Sequence, residues 1–246
     1  MGGKTSAAIF NEMIDIHSHV LPGIDDGSQS LEESLLILED LASHGFTDVI
    51  CTPHYIEDSQ YAASNVVKRE KLCALKVAAL DRGISISLHL ANEAYITENM
   101  DKLIKQKQIE LMGNGYLLFE LPMSGAVNNL QDYTHNLRCE GYNLILAHPE
   151  RYVKFQQNPE LAVALHKKGV EFQCNYGSMI GKYGKHAEKM LKYLLKNDLV
   201  DYFGTDIHHA DSEILEKFDK SVKKITKIIG QEKYSSILQN AENLLK

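Results

Sequence analysis

The stretch MIDIHSH, Met13–His19, sets the pattern from which the fold is read. Its apolar part, Met13–Ile16, reads as a short buried strand that runs straight into His17 and His19. Residues two apart in an extended segment share a face, so both imidazoles point the same way. The same order, apolar run first and polar group after, recurs along the chain. Asp48–Cys51 runs into Thr52, Pro53 and His54, and Ile84–Leu90 into Asn92 and Glu93. Tyr116–Leu121 carries Glu120 near its end, Leu144–Ala147 runs into His148, and Leu199–Phe203 is followed by Asp206 and His208. Val170–Cys174 completes seven predicted strands. Most are rich in β-branched or aromatic residues, as buried parallel strands are.

Helical patterns separate them. Ser30 and Glu33 of SLEES read as a capping box. Further helices are predicted over Ala62–Leu80, Leu130–Cys139, Pro159–Lys168, Lys182–Asn197 and the region Glu213–Leu245, which Gly230 divides in two. Strands alternating with helices imply βαβ units and a parallel sheet. An open doubly wound sheet also fits that alternation. The polar strand ends discriminate: in a closed barrel they ring one mouth, where barrel active sites sit, while in an open sheet they spread along an edge. Six such ends favour an α/β fold of the (β/α)7 TIM-like barrel type. No linker or low-complexity tract divides the chain, so one domain is expected over 13–246, after an N-terminal extension of residues 1–12.

Composition narrows the function. The 246 residues are 44% hydrophobic, enough for a sizeable core. Acidic residues outnumber basic ones, 33 to 26, for a net charge of -7, which argues against general nucleic-acid binding. No apolar run approaches the roughly 20 residues of a membrane span. The opening MGGKTSAAIFNEM lacks a signal peptide's apolar centre, and the four cysteines form no CxxC, so a reduced, cytoplasmic setting is expected.

The unusual count is histidine, at 11. His17 and His19 at one end of the chain and Asp206 and His208 at the other share the i, i+2 spacing. With His54, Glu93, Glu120 and His148 they make more ligands than one ion needs. Two or three divalent ions share them better, and burying so many carboxylates without cations would be very costly. Asp25 and Asp26 lie in the loop PGIDDG, where Gly23 and Gly27 allow a tight turn; one aspartate is a candidate ligand or proton donor. Arg151, three residues past His148, offers a donor fork suited to phosphoryl oxygens; the competing reading is a surface ion pair with Glu150 or Glu160. His44, His89, His135, His166 and His186 read as packed or surface histidines, and His209 is held in reserve as a residue that supports a ligand from behind or contacts substrate. Tyr55, Tyr95 and Tyr152 each follow a site candidate by one to two positions and are candidates for an aromatic rim; the alternative is that they pack between strand ends.

No cysteine is followed by an arginine at the spacing of a thiol-phosphate cradle, and neither GxxxxGK[ST] nor GxSxG occurs. What remains is metal-activated hydroxide, with the ions neutralising the oxygens of the transferring group.

MIDIHSHVLPGIDDG at Met13–Gly27 resembles the opening of the polymerase and histidinol phosphatase superfamily, and more narrowly its bacterial capsule-type, manganese-dependent protein-tyrosine phosphatases. TPHY, ANEAY, LFELP, LAHPERY and TDIHH extend the resemblance over nearly the whole chain. It implies a distorted seven-stranded barrel with a trinuclear site, held by His17, His19, Glu93, Glu120, His148, Asp206 and His208, with His54 in the metal shell. It further implies a catalytic Asp26, a phosphate-binding Arg151, and manganese as the metal, with iron or zinc also suited to the ligands. The implied substrate is a phosphotyrosine protein, the tail of a bacterial tyrosine kinase in polysaccharide export and capsule synthesis. GTDIHH departs from the family's usual ending, and the helical tail beyond it is longer. Two alternatives stand beside this reading: a small-molecule phosphatase such as histidinol-phosphate phosphatase, and a non-catalytic metal-binding scaffold.

Overall fold

A computed structural model of the protein describes residues 12–124 and 130–246; of the N-terminal extension only residue 12 falls inside. Nine parallel strand segments appear among the described residues: β1 Met13–Ser18, β2 Phe46–Cys51, β3 His54–Tyr55, β4 Ser87–Leu90, β5 Glu93–Tyr95, β6 Tyr116–Glu120, β7 Asn143–Ala147, β8 Val170–Asn175 and β9 Tyr202–Gly204. They form two sheets, β1-β2-β4 and β3-β5-β6-β7-β8-β9. The division reflects two interruptions. β2 and β3 are halves of one strand broken at Thr52 and Pro53, and β4 and β5 are halves broken at Ala91 and Asn92. Pro53 has no N–H to give to a ladder. The path therefore has the seven strands expected, running β1 to β9 in chain order.

The last strand returns to the first. Ser18 and Ile207 form an isolated parallel bridge, His19 N donates to Ile207 O at 2.9 Å, and Asp206 N donates to His17 O at 2.8 Å. Because that contact is a single bridge and not a full ladder, the sheet is curled but incompletely closed, a distorted TIM-like barrel. One buried cluster draws Ile16, Ile50, Leu118, Ile145 and Tyr202 from β1, β2, β6, β7 and β9 together; only the interior of a curled sheet can do so. Ala241 and Leu244, from the 3-10 turn Ala241–Leu245, join the same cluster. Gly113, just before β6, lies so close to Leu244 that a Cβ there would sit 2.9 Å from its backbone. The C-terminal tail thus plugs the end opposite the strand C-termini.

The larger apolar cluster lies between strands and helices. Helix Leu31–Ser43 buries Leu35, Ile37, Leu38 and Leu41, each worth about 1.5–3 kcal/mol of burial. It starts as its sequence dictates: Ser30 Oγ accepts from Glu33 N at 3.1 Å. Glu33 reaches back one residue further than a capping box requires, accepting from Gln29 N at 2.8 Å.

Some boundaries move. The third strand begins at Ser87, and the last at Tyr202, because Leu199 and Val200 pack into the core from a loop. The C-terminal region is Glu213–Glu216, Phe218–Ile229 and Gln231–Asn240, with Gly230 at φ 81 making the predicted break.

Candidate metal centre

All eight predicted ligands meet at the C-terminal ends of the strands. Four overlapping groups have ligand atoms within 4.8 Å of one another: His19, Asp26, His54 and His208; His17, Glu93 and His148; His17, His19 and Asp206; and His54, Glu93 and Glu120. His17, His19, His54 and Glu93 each belong to two groups, so the groups adjoin.

The inner pair is held from behind. His17 Nδ1 donates to Gln173 Oε1 at 2.7 Å, and His19 Nδ1 donates to Asp25 Oδ2 at 2.7 Å. Both partners are acceptors, so each neutral ring turns the lone pair of Nε2 inward, and the two Nε2 atoms face each other at 3.2 Å. Glu93 Oε2 lies 3.1 Å from His17 Nε2, 3.3 Å from His19 Nε2 and 3.1 Å from His54 Nδ1, yet has no hydrogen-bond partner. His54 Nδ1 and His148 Nδ1 are likewise buried and unpartnered. Facing lone pairs around an orphaned carboxylate oxygen are unfavourable as a protein interior and favourable around a cation. The residues present therefore fit divalent metal ions.

The electrostatics agree. Burial opposes the charged form of His17, but Glu93 and Asp206 outweigh it and raise the imidazole to about 9. His19 is raised as well, against burial, by Asp25 and Asp206. Glu93 is buried, yet His17, His54 and His148 hold it well below the usual carboxylate range. A site that recruits protons onto buried imidazoles is short of positive charge. His208 is the exception: burial and the neighbouring His19 push it down to about 4.

Two candidate ligand positions are backbone exceptions. His148 has φ 36 and Asp206 has φ 52, both in the left-handed region that side chains other than glycine rarely adopt. At Gly27 the requirement is space and not dihedral freedom. A Cβ there would sit 2.2 Å from His19 O, so the PGIDDG loop closes directly over His19; Gly23 supplies the positive φ, at 65.

Exposure grades outward. Asp26 is 53% exposed, with Oδ1 3.6 Å from His54 Nε2 and 3.8 Å from His208 Nε2. Arg151 is 24% exposed and donates from Nη1 to Asp206 Oδ2 at 2.7 Å. The surface ion pair weighed for it does not form. Glu150 is buried, accepting from Asn175 N and Ser178 Oγ, and Glu160 accepts from Tyr193. Tyr55 and Tyr152 do not edge the mouth. They are 4% and 2% exposed. The Tyr152 hydroxyl accepts from Leu121 N, and Tyr55 faces Lys68. Tyr95 is half-buried. His44, His89 and His166 bond to Asp40, Asp48 and Asp201 outside the site, and His209 bonds to Glu33.

Several participants were not predicted. Gln173 and Asn175 enter from β8, the one strand given no polar end. Gln173 Nε2 donates to Asn175 Oδ1 at 2.8 Å, and Asn175 Nδ2 donates to Asp206 Oδ2 at 2.7 Å. Their i, i+2 spacing in an apolar strand was the available signal. Lys68, fully buried, donates to Asn92 Oδ1 at 2.6 Å and to Gln108 O at 3.0 Å. Asn92 Nδ2 in turn donates to Pro53 O at 2.8 Å, tying together the two strand breaks that precede His54 and Glu93.

A family model described as capsular polysaccharide synthesis, CpsB/CapC, matches residues 13–246. The chain belongs to this family. Among its relatives, the tyrosine-protein phosphatase YwqE of Bacillus subtilis is 27% identical over 95% of this chain and 92% of its own. A solved chain from work on YwqE and on CpsB from Streptococcus pneumoniae, described as unique metal-dependent tyrosine phosphatases, superimposes with a TM-score of 0.89. It is 26% identical and the match covers 95% of this chain and 94% of that one. Histidinol phosphate phosphatase from Lactococcus lactis matches at TM-score 0.57 and 16% identity, over 87% and 93% of the two chains, a likeness of fold. The match over residues 13–246 agrees with the superfamily resemblance of the motifs from Met13 onward.

Proposed function

We propose that this chain is a metal-dependent phosphatase acting on phosphotyrosine in proteins. The observation that carries it is the orphaned Glu93 Oε2 ringed by His17, His19 and His54, with Arg151 anchored at the edge on Asp206, in a chain of the CpsB/CapC family. His17, His19, His54, Glu93, Glu120, His148, Asp206 and His208 are the candidate ligands for two to three divalent ions, with manganese as the first choice on family grounds. Bound divalent ions supply an activated water and offset the charge of the phosphoryl group.

The chain's own residues do the rest. Arg151 spends one N–H donor on Asp206 and keeps others for phosphoryl oxygens. Asp26, exposed beside His54 and His208, is placed to shuttle a proton toward the leaving oxygen or to complete their metal shell. A phenolate has a pKa of about 10 and leaves with less protonation than an alkoxide. His17, His19 and Glu93 are fully buried, whereas His54 is 14% exposed and Asp26 more so. The candidate ligands thus lie below the surface, and a tyrosine side chain, longer than serine, carries its phosphate further from the peptide backbone toward them. The family's capsule role supports a bacterial tyrosine kinase tail as partner and a cytoplasmic setting. Among the described residues no helix is long and apolar enough to cross a membrane.

The test is a turnover panel on matched phosphotyrosine and phosphoserine peptides and histidinol phosphate, with metals quantified in the same sample. We expect two to three ions per chain and a clear preference in kcat/KM for phosphotyrosine. Equal rates on the two peptides, or a preference for histidinol phosphate, overturns the substrate reading. A metal-loaded chain that turns over none of them is a scaffold.

A further inference from the structure

We infer that Tyr183 is a positioning residue whose ring is the platform that aims the Arg151 guanidinium at the phosphoryl group. The inference rests on the phosphatase reading and adds a residue that neither the motifs nor the ligand set contains. Arg151 carries four rotatable side-chain bonds, and a single hydrogen bond to Asp206 does not fix the plane of its donor fork. The ring does: Arg151 Cζ lies 4.3 Å over the Tyr183 centroid, within cation–π range, while its one side-chain hydrogen bond goes from Nη1 to Asp206.

Tyr183 is placed for this by its own surroundings. It sits at the N-cap of helix Gly184–Lys196, with Gly184 at φ 86 just after it. Its ring edge rests on Gly177, where a Cβ would come within 3.1 Å of Tyr183 Cε2. A Cβ at 177 would also meet Ile214 Cγ1 and Lys182 Cδ at 3.4 Å, so a larger residue there makes the ring give way. The ring and the hydroxyl are separable contributions. The hydroxyl donates to Asp206 Oδ2 at 3.3 Å, but that oxygen already takes two donors at 2.7 Å, from Arg151 and Asn175. A third, longer bond adds little, so the ring is the working part.

The experiment measures kcat/KM on a phosphotyrosine peptide, inhibition by inorganic phosphate, metal content and melting temperature. It compares the wild type with Tyr183→Phe, Tyr183→Leu, Gly177→Ala, Arg151→Ala and the double variant Arg151→Ala/Tyr183→Leu. Stacking at a partly desolvated site corresponds to about 2- to 30-fold, so Tyr183→Leu should lower kcat/KM and phosphate affinity about 10-fold with metals retained. Tyr183→Phe should recover both to within about 3-fold, and Gly177→Ala should fall between. In the Arg151→Ala background Tyr183→Leu should have no further effect, because the platform has nothing left to aim. Additive losses in the double variant, equal losses for Phe and Leu, or wild-type behaviour of Tyr183→Leu overturns the inference. If Tyr183→Leu fails to fold, Gly177→Ala and Tyr183→Phe decide it: unchanged phosphate affinity in the former, or a 10-fold loss in the latter, rejects the platform. Wild-type turnover by Arg151→Ala instead sinks the phosphoryl-clamp role in the parent reading.

Discussion

Replacing Gln173 with leucine isolates what supports the metal centre from what forms it. Gln173 is fully buried in β8 and is not itself among the candidate ligands. Its Oε1 accepts from His17 Nδ1 at 2.7 Å, and its Nε2 donates to Asn175 Oδ1 at 2.8 Å. Leucine nearly preserves the volume and removes both polar groups. A buried donor and a buried acceptor lose their partners, at about 1–3 kcal/mol each, so the metal-free chain should lose about 2–6 kcal/mol. His17 has one escape, moving its proton to Nε2, but that removes the lone pair that faces His19 and Glu93. Loss of the partner behind a metal-ligating histidine typically costs about 10–100-fold in metal affinity. Gln173→Leu should therefore bind manganese about 10–100-fold more weakly in a competition titration with a chelating dye, and melt at lower temperature without metal. Gln173→Glu keeps the acceptor for His17 while giving up the donor for Asn175, and should retain more of the affinity. Manganese affinity within about threefold of wild type in Gln173→Leu would refute the reasoning, whatever the melting temperature does.

Two further outcomes follow from charge. Because His17 is raised to about 9 against burial by Glu93 and Asp206, ions compete with protons for its ring. Apparent metal affinity should climb from pH 6 to 9, by about tenfold per pH unit for each proton displaced, with proton release seen as buffer-dependent binding heat; a flat profile refutes it. Burial pushes the Lys68 amine down to about 7 from 10.5, so between those values the unfolded chain binds a proton that the folded chain does not. Stability contributed at this position then rises with pH from about 7 toward 10, by at most about 1.4 kcal/mol per unit. Urea midpoints of the wild type should climb relative to Lys68→Met over that window, and parallel curves would show that Lys68 stays charged.

The strand ends were legible because their chemistry violates their surroundings. His17, Glu120 and His148 are polar groups closing apolar runs, and each lies where the run said it would. What stayed hidden depends on which way neighbours face. Tyr55 follows His54 directly in β3, and alternation sends adjacent side chains to opposite faces, so nearness in sequence put it behind the site and not on its edge. Glu93 and Tyr95, two apart in β5, share a face, and Tyr95 alone of the three tyrosines keeps intermediate exposure. The breaks at Pro53 and Asn92 were half-visible, since proline cannot serve a central ladder, while Asn92 declares itself only through Lys68. Tyr183 lies in the loop GKYGK, where no periodicity exists to assign it a side.

The meeting of β1 and β9 also orders events in the life of the chain. Asp15 Oδ1 accepts a hydrogen bond from Thr205 N across 190 residues, and closure of so distant a pair is slow relative to local helix formation. A polypeptide emerging N-terminus first presents His17 and His19 long before Asp206 and His208 exist. A chain that ends before residue 206 already carries His17, Glu93 and His148, and His54 and Glu120, but the two groups built on His19 each lack a member, Asp206 or His208. The groups around His19 are thus the last to be completed, and a chain stalled before residue 206 should hold fewer divalent ions than the finished one.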